Sequence, residues 1–407
     1  MRVVITNAVI SNTGDAAILA GIVGALREAT DVTGLVVFDS NAETTRELYP
    51  EWNVHQQVTV PILRRVTFVA RAKRKALLVL LDLLAHVPAL AKLAAGSHRI
   101  VRTPVIRALH VIAGADVVVA TGGTYLVDHY DFSAKVLELR LAAALGRPIV
   151  LWTQSMGPFA SERARQQIAE LSGRVDAVFF RDDRSQTNWN AINEPATIQA
   201  VVADAAFTLP PAPTPEAGDT DRTRHAILCV RDWAHKGADG GAVDRAGYIR
   251  AVRALASGLI AEGWHVTALS TCQGLPSYPT DDSIFAAEAF RDLAVDIDRV
   301  HRSPSELQSQ LAVADLVVTA RMHLAILGLI QQTPTVAIAY EFKSLELFKS
   351  VGLGEQVVRL EDISVEWAEK LVASLPAGVP ALKSDVIADL ARSSREPAAA
   401  VVRVATR

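Results

Sequence analysis

The chain is poor in several features that define protein classes. Its 407 residues include two cysteines, and the formal net charge is −3. Cys229 and Cys272 are far apart and have no CxxC partner, which argues against a disulfide scaffold or a zinc knuckle and predicts a reducing compartment. The near-even charge balance, without aromatic residues interleaved among basic ones, gives no reason to expect nucleic acid as a partner.

Several chemical signatures are also missing from the sequence. It has no GxGxxG fingerprint, no GxxxxGK[ST] phosphate loop, no HExxH pair and no GxSxG nucleophile elbow. The histidines show no metal-ligand spacing, so no metal centre is expected. Residues 1–5 lead directly into a strand pattern, so we expect no signal peptide and a cytoplasmic location.

What is present is a regular alternation of strand-like and helix-like segments. Apolar runs such as 3–10, 116–120, 148–153 and 177–180 are separated by helix-like stretches. The strands are apolar throughout rather than alternating, which is typical of parallel sheets covered by helices on both faces. The sequence therefore predicts an α/β protein built from Rossmann-like αβα layers.

One proline-rich and acidic stretch, 211–223, divides the chain and is interpreted as a linker. We expect an N-terminal Rossmann-like domain over 1–210, a C-terminal one over 224–380, and a helical tail over 381–407. A cleft between the two domains is the favoured place for a small-molecule site.

The segment from about 61 to 112 is basic and apolar, with Asp82 as its one acid. Its apolar run 76–90 is too short and too interrupted to span a bilayer, which needs about 20 apolar residues. Two interpretations stay open. The segment is either a helical hairpin packed on the core with a solvated basic edge, or a peripheral membrane surface attracted to anionic lipid at the inner face of the membrane.

Polar and glycine-containing turns follow the predicted strands of the first half, and each is also explained by ordinary turn chemistry. Gly14 lets the backbone approach a ligand, and paired glycines after a strand do the same for an anion. Candidate ligand-binding residues in these turns are Asn12, Gly14, Asp15, Gly122, Gly123, Asp128 and Gln154.

Two arginines directly follow strands and are candidates for binding a carboxylate or phosphate. Arg181 follows the run at 177–180, and the alternative is an internal ion pair with Asp182 or Asp183. Arg231 follows the strand at 226–230, with a surface ion pair as the alternative.

The most informative stretch is 314–343, which reads as strand, turn, helix and strand. Arg321 and His323 lie at its first turn, where helix N-termini and strand ends favour anionic ligands and an imidazole can transfer protons near neutral pH. A lone histidine is more often structural, but Arg321 two residues earlier and Lys343 after the next strand favour a functional one.

Together, the ordered motifs NTGDAAI, GGTYLVD, TQSMGPF, FFRDDRS, VADAAF, CVRDW and ADLVVTARMHLAILGLIQQTPTVAIAYEFK resemble the polysaccharide pyruvyl transferase family over roughly residues 1–354. The resemblance implies a two-domain fold similar to that of GT-B glycosyltransferases. It also implies transfer of the pyruvyl group of phosphoenolpyruvate onto two hydroxyls of a sugar, in a cell-surface glycan or a lipid-linked precursor. A ketal forms and phosphate is released.

By match of motif, the resemblance implies that Arg321 and Arg181 bind the donor, that His323 is the acid and that Asp15 is the early acidic residue. Tyr340 and Lys343 belong to the same motif and are further substrate-binding candidates. The chain departs from the family at Thr124, where a third glycine is common, and around Gln154. Two alternatives remain at this point: a glycosyltransferase that uses a nucleotide sugar, or an inactive glycan-binding relative.

Overall fold

The computed structural model describes residues 1–59, 68–128, 131–192, 198–213, 222–233, 244–275 and 278–407, with backbone alone for 68–74. Parts of the predicted linker (214–221) and of the basic segment (60–67) lie outside the described residues. The chain divides into two compact units. The first unit contains 1–10, 18–208 and 392–407, and the second unit contains 11–17 and 209–391.

The first unit is built on an eight-stranded sheet of order β3-β2-β1-β4-β6-β7-β8, with β5 paired to β6. Its strands are β1 Arg2–Ala8, β2 Gly34–Asp39, β3 Val54–Gln56, β4 Val117–Ala120, β5 Gly123–Leu126, β6 Ile149–Met156, β7 Ala177–Phe180 and β8 Gln199–Val201. The helices that alternate with them are α1 Thr13–Ala29, α2 Ala42–Leu48, α3 Phe68–His86, α4 Pro88–Gly96, α5 Pro104–Ala113, α6 Ser133–Ala144, α7 Glu162–Ser172 and α8 Asp183–Asn190.

The second unit contains a six-stranded sheet of order β13-β10-β9-β14-β15-β16 and a separate β11–β12 hairpin. The strands are β9 His225–Cys229, β10 His265–Ala268, β11 Gln273–Leu275, β12 Tyr278–Asp281, β13 Val295–Ile297, β14 Leu316–Thr319, β15 Thr335–Ala339 and β16 Val357–Arg359. The helices are α9 Arg245–Ala261, α10 Asp282–Ala289, α11 Pro304–Leu311, α12 Met322–Ile330, α13 Phe342–Ser350, α14 Val365–Ser374 and α15 Ser384–Ala405, the last of which ends in the first unit.

All pairings within the two large sheets are parallel, as the apolar strands predict. The central strands β4, β7 and β14 are buried at every position. Helices cover both faces of such a sheet, so each strand is enriched in valine, leucine and phenylalanine instead of alternating with polar residues. The prediction of an α/β fold with parallel sheets is confirmed.

Two local predictions were wrong. Gln154 and Ser155 lie inside β6, which continues to Met156, because polar side chains at the buried end of a parallel strand resemble a loop in sequence. The polar stretch that ends at Asp281 and Asp282 reads as a loop in sequence, but it contains the β11–β12 hairpin. After β16, which extends the second sheet, the remainder of the chain is largely helical, as its sequence predicts.

The described part of the basic segment forms three helices, α3, α4 and α5, rather than a simple hairpin. Leu81, Leu84 and Leu109 bury their side chains in the core of the first unit. Among the described residues, no single helix is long and apolar enough to cross a membrane. The helical segments 75–86 and 88–99 together have the length and apolar composition of a membrane span, but they are bent by 112° relative to each other.

A carboxyl group is buried in the first unit, on α6. The Glu138 side chain accepts a hydrogen bond from the Thr6 hydroxyl and one from the Val58 N–H at 2.9 Å. Burial raises the pKa of Glu138 to about 7, although the Val58 N–H and the charge of Lys135 oppose this rise. A proton on Glu138 therefore stabilises the folded state in weakly acidic solution.

We predict that Glu138→Gln flattens the pH dependence of stability. The folded-state pKa lies above that of the unfolded chain, so the contribution of Glu138 is complete below pH 4.5 and is lost as the pH rises through about 7. In denaturant titrations, the wild type should lose roughly 2–3 kcal/mol more of its unfolding free energy over that range than Glu138→Gln does.

The control for this measurement is Glu47→Gln, a substitution of an exposed glutamate in the same unit. It should retain the wild-type pH profile. Identical profiles for Glu138→Gln and the wild type would contradict a perturbed buried carboxyl.

Candidate functional site

In the second unit, the candidate side chains lie at the carboxyl ends of neighbouring parallel strands. Arg231 follows β9 by two residues, Arg321 follows β14 by two, and Tyr340 directly follows β15. Because β9, β14 and β15 are adjacent in the sheet, their ends meet at one edge. This is the edge at which open α/β sheets bind ligands.

Arg321 makes a buried ion pair with Asp282. Its Nε and Nη2 atoms donate to the two carboxylate oxygens of Asp282, both at 2.7 Å, and the two side chains are 10% and 1% exposed. Burial lowers the pKa of Arg321, but the charge and hydrogen bonds of Asp282, together with the nearby Cys272 and Tyr278, outweigh burial, so that the pKa lies well above its ordinary value. Arg321 is therefore a fixed, fully charged group.

His323 lies in the first turn of α12, the helix that begins after Arg321. Every other residue of α12 is buried, whereas His323 is half-buried. An apolar helix of this kind is held in the core on all sides. The His323 side chain therefore lies at the N-terminal end of α12, at the edge of the sheet where the strands end.

The Asn12–Asp15 segment belongs to the second unit and reaches His323. The Asn12 side chain accepts a hydrogen bond from the Gly14 N–H and donates one to Asp15, each at 3.0 Å. A Cβ atom added to Gly14 would lie 2.9 Å from Nδ1 of His323. The structure thus brings together four of the predicted residues: Asn12, Gly14, Asp15 and His323.

Three groups near Arg321 keep their protons at neutral pH. Burial raises the pKa of Tyr278 to about 12, that of Cys272 to about 11 and that of Cys229 to about 12, while the charge of Arg321 opposes each rise. A buried thiol of this kind is not a thiolate nucleophile. The arrangement offers charge and proton transfer rather than cysteine chemistry.

Arg231, Tyr340 and Lys343 also come together, around an aromatic pair. The guanidinium of Arg231 lies 4.8 Å from the ring centroid of Trp233 and 4.9 Å from that of Tyr340. Lys343 lies over the Tyr340 ring at 5.9 Å and pairs with Glu341 at 2.6 Å. Among the described residues, Arg231 is thus oriented by cation–π contacts.

In the first unit, Arg181 makes a buried ion pair, but with neither aspartate that the sequence offered. Its Nη1 atom donates to Asp204 at 2.6 Å, and other nitrogens donate to Ser155 and Thr124. Asp182 instead caps α8 by accepting from the Ser185 N–H at 2.7 Å. All three nitrogens of Arg181 have protein partners.

The other predicted residues of the first unit have structural explanations of their own. A Cβ atom on Gly122 would lie 2.9 Å from the Trp152 carbonyl oxygen, and Gly123 has a φ of 130°, which favours glycine. The Gln154 amide donates to the Thr121 carbonyl, and Asp128, which is exposed, accepts from the Ala160 N–H. Each of these residues thus has a packing or backbone role in the first unit, and their part in ligand binding stays a prediction.

The sequence prediction did not name the two counter-ions, Asp204 and Asp282. Asp204 lies in the VADAAF motif directly after a short strand, which is a usable signal. Asp282 follows a polar stretch without a regular apolar pattern, so no local pattern connects it with Arg321. In the part of the chain that the structure describes, no three His, Cys, Asp or Glu side chains are grouped as a metal ion would require.

The contact between Gly14 and His323 gives a stability prediction. Alanine is normally preferred to glycine inside a helix by roughly 0.5–1 kcal/mol. At Gly14, however, the new methyl group would press on the His323 ring, and overpacking costs about 1–3 kcal/mol. We expect Gly14→Ala to lower the melting temperature.

A matched control lies in the same helix. A Cβ atom on Gly24 would meet nothing within 4 Å, so Gly24→Ala should raise the melting temperature. Equal stabilisation by the two substitutions would show that His323 does not pack on Gly14.

The fold is shared with solved sugar-nucleotide enzymes. The UDP-GlcNAc 2-epimerase of Neisseria meningitidis bound to UDP-GlcNAc is 8% identical with a TM-score of 0.56, and the match covers 99% of each chain. The Methanocaldococcus jannaschii epimerase is 11% identical (TM-score 0.56, covering 100% of this chain and 99% of the other). Anabaena Alr3699/HepE in complex with UDP and glucose is also 11% identical (TM-score 0.54, covering 100% and 97%). At these identities the likeness shows the fold alone, which is a GT-B-like α/β fold with two parallel sheets.

Similarity in sequence points to one family. The amylovoran biosynthesis protein AmsJ of Erwinia amylovora is 27% identical over 372 residues, which is 86% of each chain. The profile of the polysaccharide pyruvyl transferase family matches residues 12–341, a range that includes every candidate residue discussed above except Lys343. The chain belongs to the polysaccharide pyruvyl transferase family.

Proposed function

We propose that this transferase moves the pyruvyl group of phosphoenolpyruvate onto two hydroxyls of a sugar, forming a cyclic ketal and releasing phosphate. The observation that carries the proposal is the packing of His323 against Gly14 in the second unit. A candidate acid, a carboxylate held by Asn12 and a fixed cation next to the histidine in sequence all belong to the same unit. The family membership supports this chemistry over other uses of the fold.

In the first step, protonated His323 gives its proton to the methylene carbon of phosphoenolpyruvate. The methylene becomes a methyl group, and positive charge develops at C2, the carbon that bears the phosphate ester and the carboxylate. A positioned imidazole contributes about 10²–10⁴-fold to such a proton transfer.

In the following steps, one sugar hydroxyl attacks C2 and loses its proton to Asp15. The C2–O bond to phosphate then breaks with its electron pair on the phosphate oxygen. The second hydroxyl forms the second C–O bond at C2. Asp15 passes the proton of the first hydroxyl to the leaving phosphate, and the proton of the second hydroxyl returns to His323, so the reaction needs neither an oxidant nor a cofactor.

The donor carries two anionic groups, for which the chain offers three candidate arginines. Asp282 engages the Nε–Nη2 edge of Arg321, so an incoming anion would use the Nη1–Nη2 edge. The charges of Arg231 and Arg321 both oppose the rise in the pKa of the half-buried Tyr278, and the contacts of Arg231 within the described part of the chain are with aromatic rings. Arg181 would have to exchange a protein partner to bind the donor.

The acceptor is proposed to be a glycan or its lipid-linked precursor, at the cytoplasmic side of the membrane. The similarity to AmsJ, an amylovoran biosynthesis protein, supports an exopolysaccharide as the end product. Gly14, Gly122, Gly123, Gln154, Tyr340 and Lys343 remain candidate substrate-binding residues under this proposal.

We predict that phosphoenolpyruvate raises the melting temperature, whereas a panel of nucleotide sugars does not. A ligand at about a hundred times its Kd adds roughly 2.7 kcal/mol to the stability of the state that binds it. A shift with a nucleotide sugar alone would favour glycosyl transfer and contradict the proposed donor.

The same assay tests Arg231. The Arg231→Gln variant should lose most of the shift, while Arg291→Gln, which alters an exposed arginine of the same unit, should keep it. An undiminished shift in Arg231→Gln would remove Arg231 from the donor site.

We predict that His323→Ala retains the thermal shift with phosphoenolpyruvate but loses turnover by about 10²–10⁴-fold. The imidazole serves the proton transfer, whereas the arginines hold the anions. Turnover is measured as phosphate released from phosphoenolpyruvate over a panel of glycosides with two neighbouring free hydroxyls.

Two variants make this measurement specific. The His265→Ala change affects a histidine that pairs with the exposed Asp296, and it should leave turnover unchanged. For the cation, Arg321→Gln is combined with Asp282→Asn, because removing one partner of a buried ion pair costs about 3–5 kcal/mol. This double variant should lose both the thermal shift and turnover. Full turnover in His323→Ala would refute the role of His323 as the acid.

A further inference from the structure

An unusual share of the exposed apolar surface lies on the helical insert of the first unit. Among the described residues, eleven large hydrophobic side chains are exposed, and seven of them fall between residues 79 and 101. We call these seven the insert surface; they are Val79, Leu80, Leu83, Leu90, Leu93, Ile100 and Val101. Scattered apolar residues on a surface are ordinary, but a concentration of this kind marks an interaction site.

The exposed side chains form the outer faces of helices whose inner faces are packed. On α3, Leu81, Leu84 and Ala85 are buried in the core, while Val79, Leu80 and Leu83 point outward. On α4, Ala91 and Ala95 are buried, whereas Leu93 is 71% exposed. The inner faces already pack in the core, so the exposed outer leucines are available for contact with another molecule.

Basic residues accompany this surface. Lys75, Lys92, Arg99, Arg102 and Arg107 are all exposed. Asp82 is the one acidic residue between 68 and 113, and its carboxylate accepts a hydrogen bond from Arg140 at 3.0 Å. The local charge is therefore strongly positive in a chain whose net charge is −3.

We propose that the insert surface docks the protein on an anionic lipid bilayer, with the outer apolar side chains at the headgroup–acyl boundary and the cations against lipid phosphates. Apolar residues interleaved with Lys and Arg are the composition of helices that lie in the membrane interface. Each cation near an anionic surface adds to the attraction. A second copy of the chain fits less well, because stacking two insert surfaces would bring their cations together.

The form of the helices agrees with lying on a membrane rather than crossing it. The two helical segments 75–86 and 88–99 are bent by 112° and bury their inner faces in the unit. This inference does not depend on the pyruvyl-transfer chemistry. It complements the proposed reaction, because a lipid-linked acceptor would also lie at the membrane surface.

The test is co-sedimentation of the full chain with vesicles of phosphatidylcholine alone or mixed with phosphatidylglycerol. We expect binding to the anionic vesicles that weakens with added salt. The Lys92→Gln/Arg99→Gln variant should bind about 25-fold more weakly, since each cation contributes roughly fivefold. Val79→Ser/Leu93→Ser should bind at least about tenfold more weakly.

Matched controls alter equivalent side chains of the second unit. Lys370→Gln/Lys383→Gln removes the same charge from exposed sites, and Val300→Ser/Val313→Ser removes exposed apolar side chains. Both should bind vesicles like the wild type. All altered residues are exposed, so the melting temperatures should stay close to that of the wild type.

Two outcomes would overturn the proposal. The first is equal binding of Val79→Ser/Leu93→Ser and the wild type to anionic vesicles. The second is a concentration-dependent dimer that Leu93→Ser dissolves, in a protein that binds no vesicles. Because the thermal shift with phosphoenolpyruvate is measured separately, a failure of membrane docking is distinguishable from a failure of the proposed reaction.

Discussion

The buried ion pair between Arg321 and Asp282 is the constraint on which the candidate site depends. A guanidinium that is 10% exposed would be costly to bury alone, and the two hydrogen bonds to Asp282 compensate for this cost. The pair fixes Arg321 at the end of β14, and α12 begins at the next residue. The position of His323 in the first turn follows from this start, so one electrostatic pairing determines where both groups are held.

The same principle recurs in the first unit, where Arg181 follows β7 and pairs with Asp204 after β8. In a parallel sheet, the residues that follow the strands lie at one edge. A charged side chain that is buried at this edge is stable only when an opposite charge pairs with it. Arg231 is the exception, because its contacts among the residues that the structure describes are with two aromatic rings, which carry no charge. The three arginines therefore differ in how readily each could turn to an anionic ligand.

Local patterns in the sequence predicted the parallel α/β architecture and the placement of Arg321, His323, Arg181 and Arg231 at strand ends. They could not predict the partners, because Asp282 lies 39 residues from Arg321, and no periodic pattern encodes a contact at that separation. The β11–β12 hairpin was missed because its strands are short and polar. Gly14 was recognised as a close-approach glycine, but the group that approaches it, His323, comes from more than three hundred residues away.

These pairings also limit how an anionic donor can be attracted. The ion pair of Arg321 and Asp282 is electrically neutral, so it would orient a bound anionic donor more than it would attract one through net charge. The positive potential would come instead from Arg231 and from the N-terminus of α12, where the helix dipole amounts to about half a positive charge. A donor placed there would meet the helix end and His323 together, since both belong to the first turn of α12. Binding of the anion and delivery of the proton would then follow from the same few residues, which is why the start of this helix matters more than the overall charge of the chain.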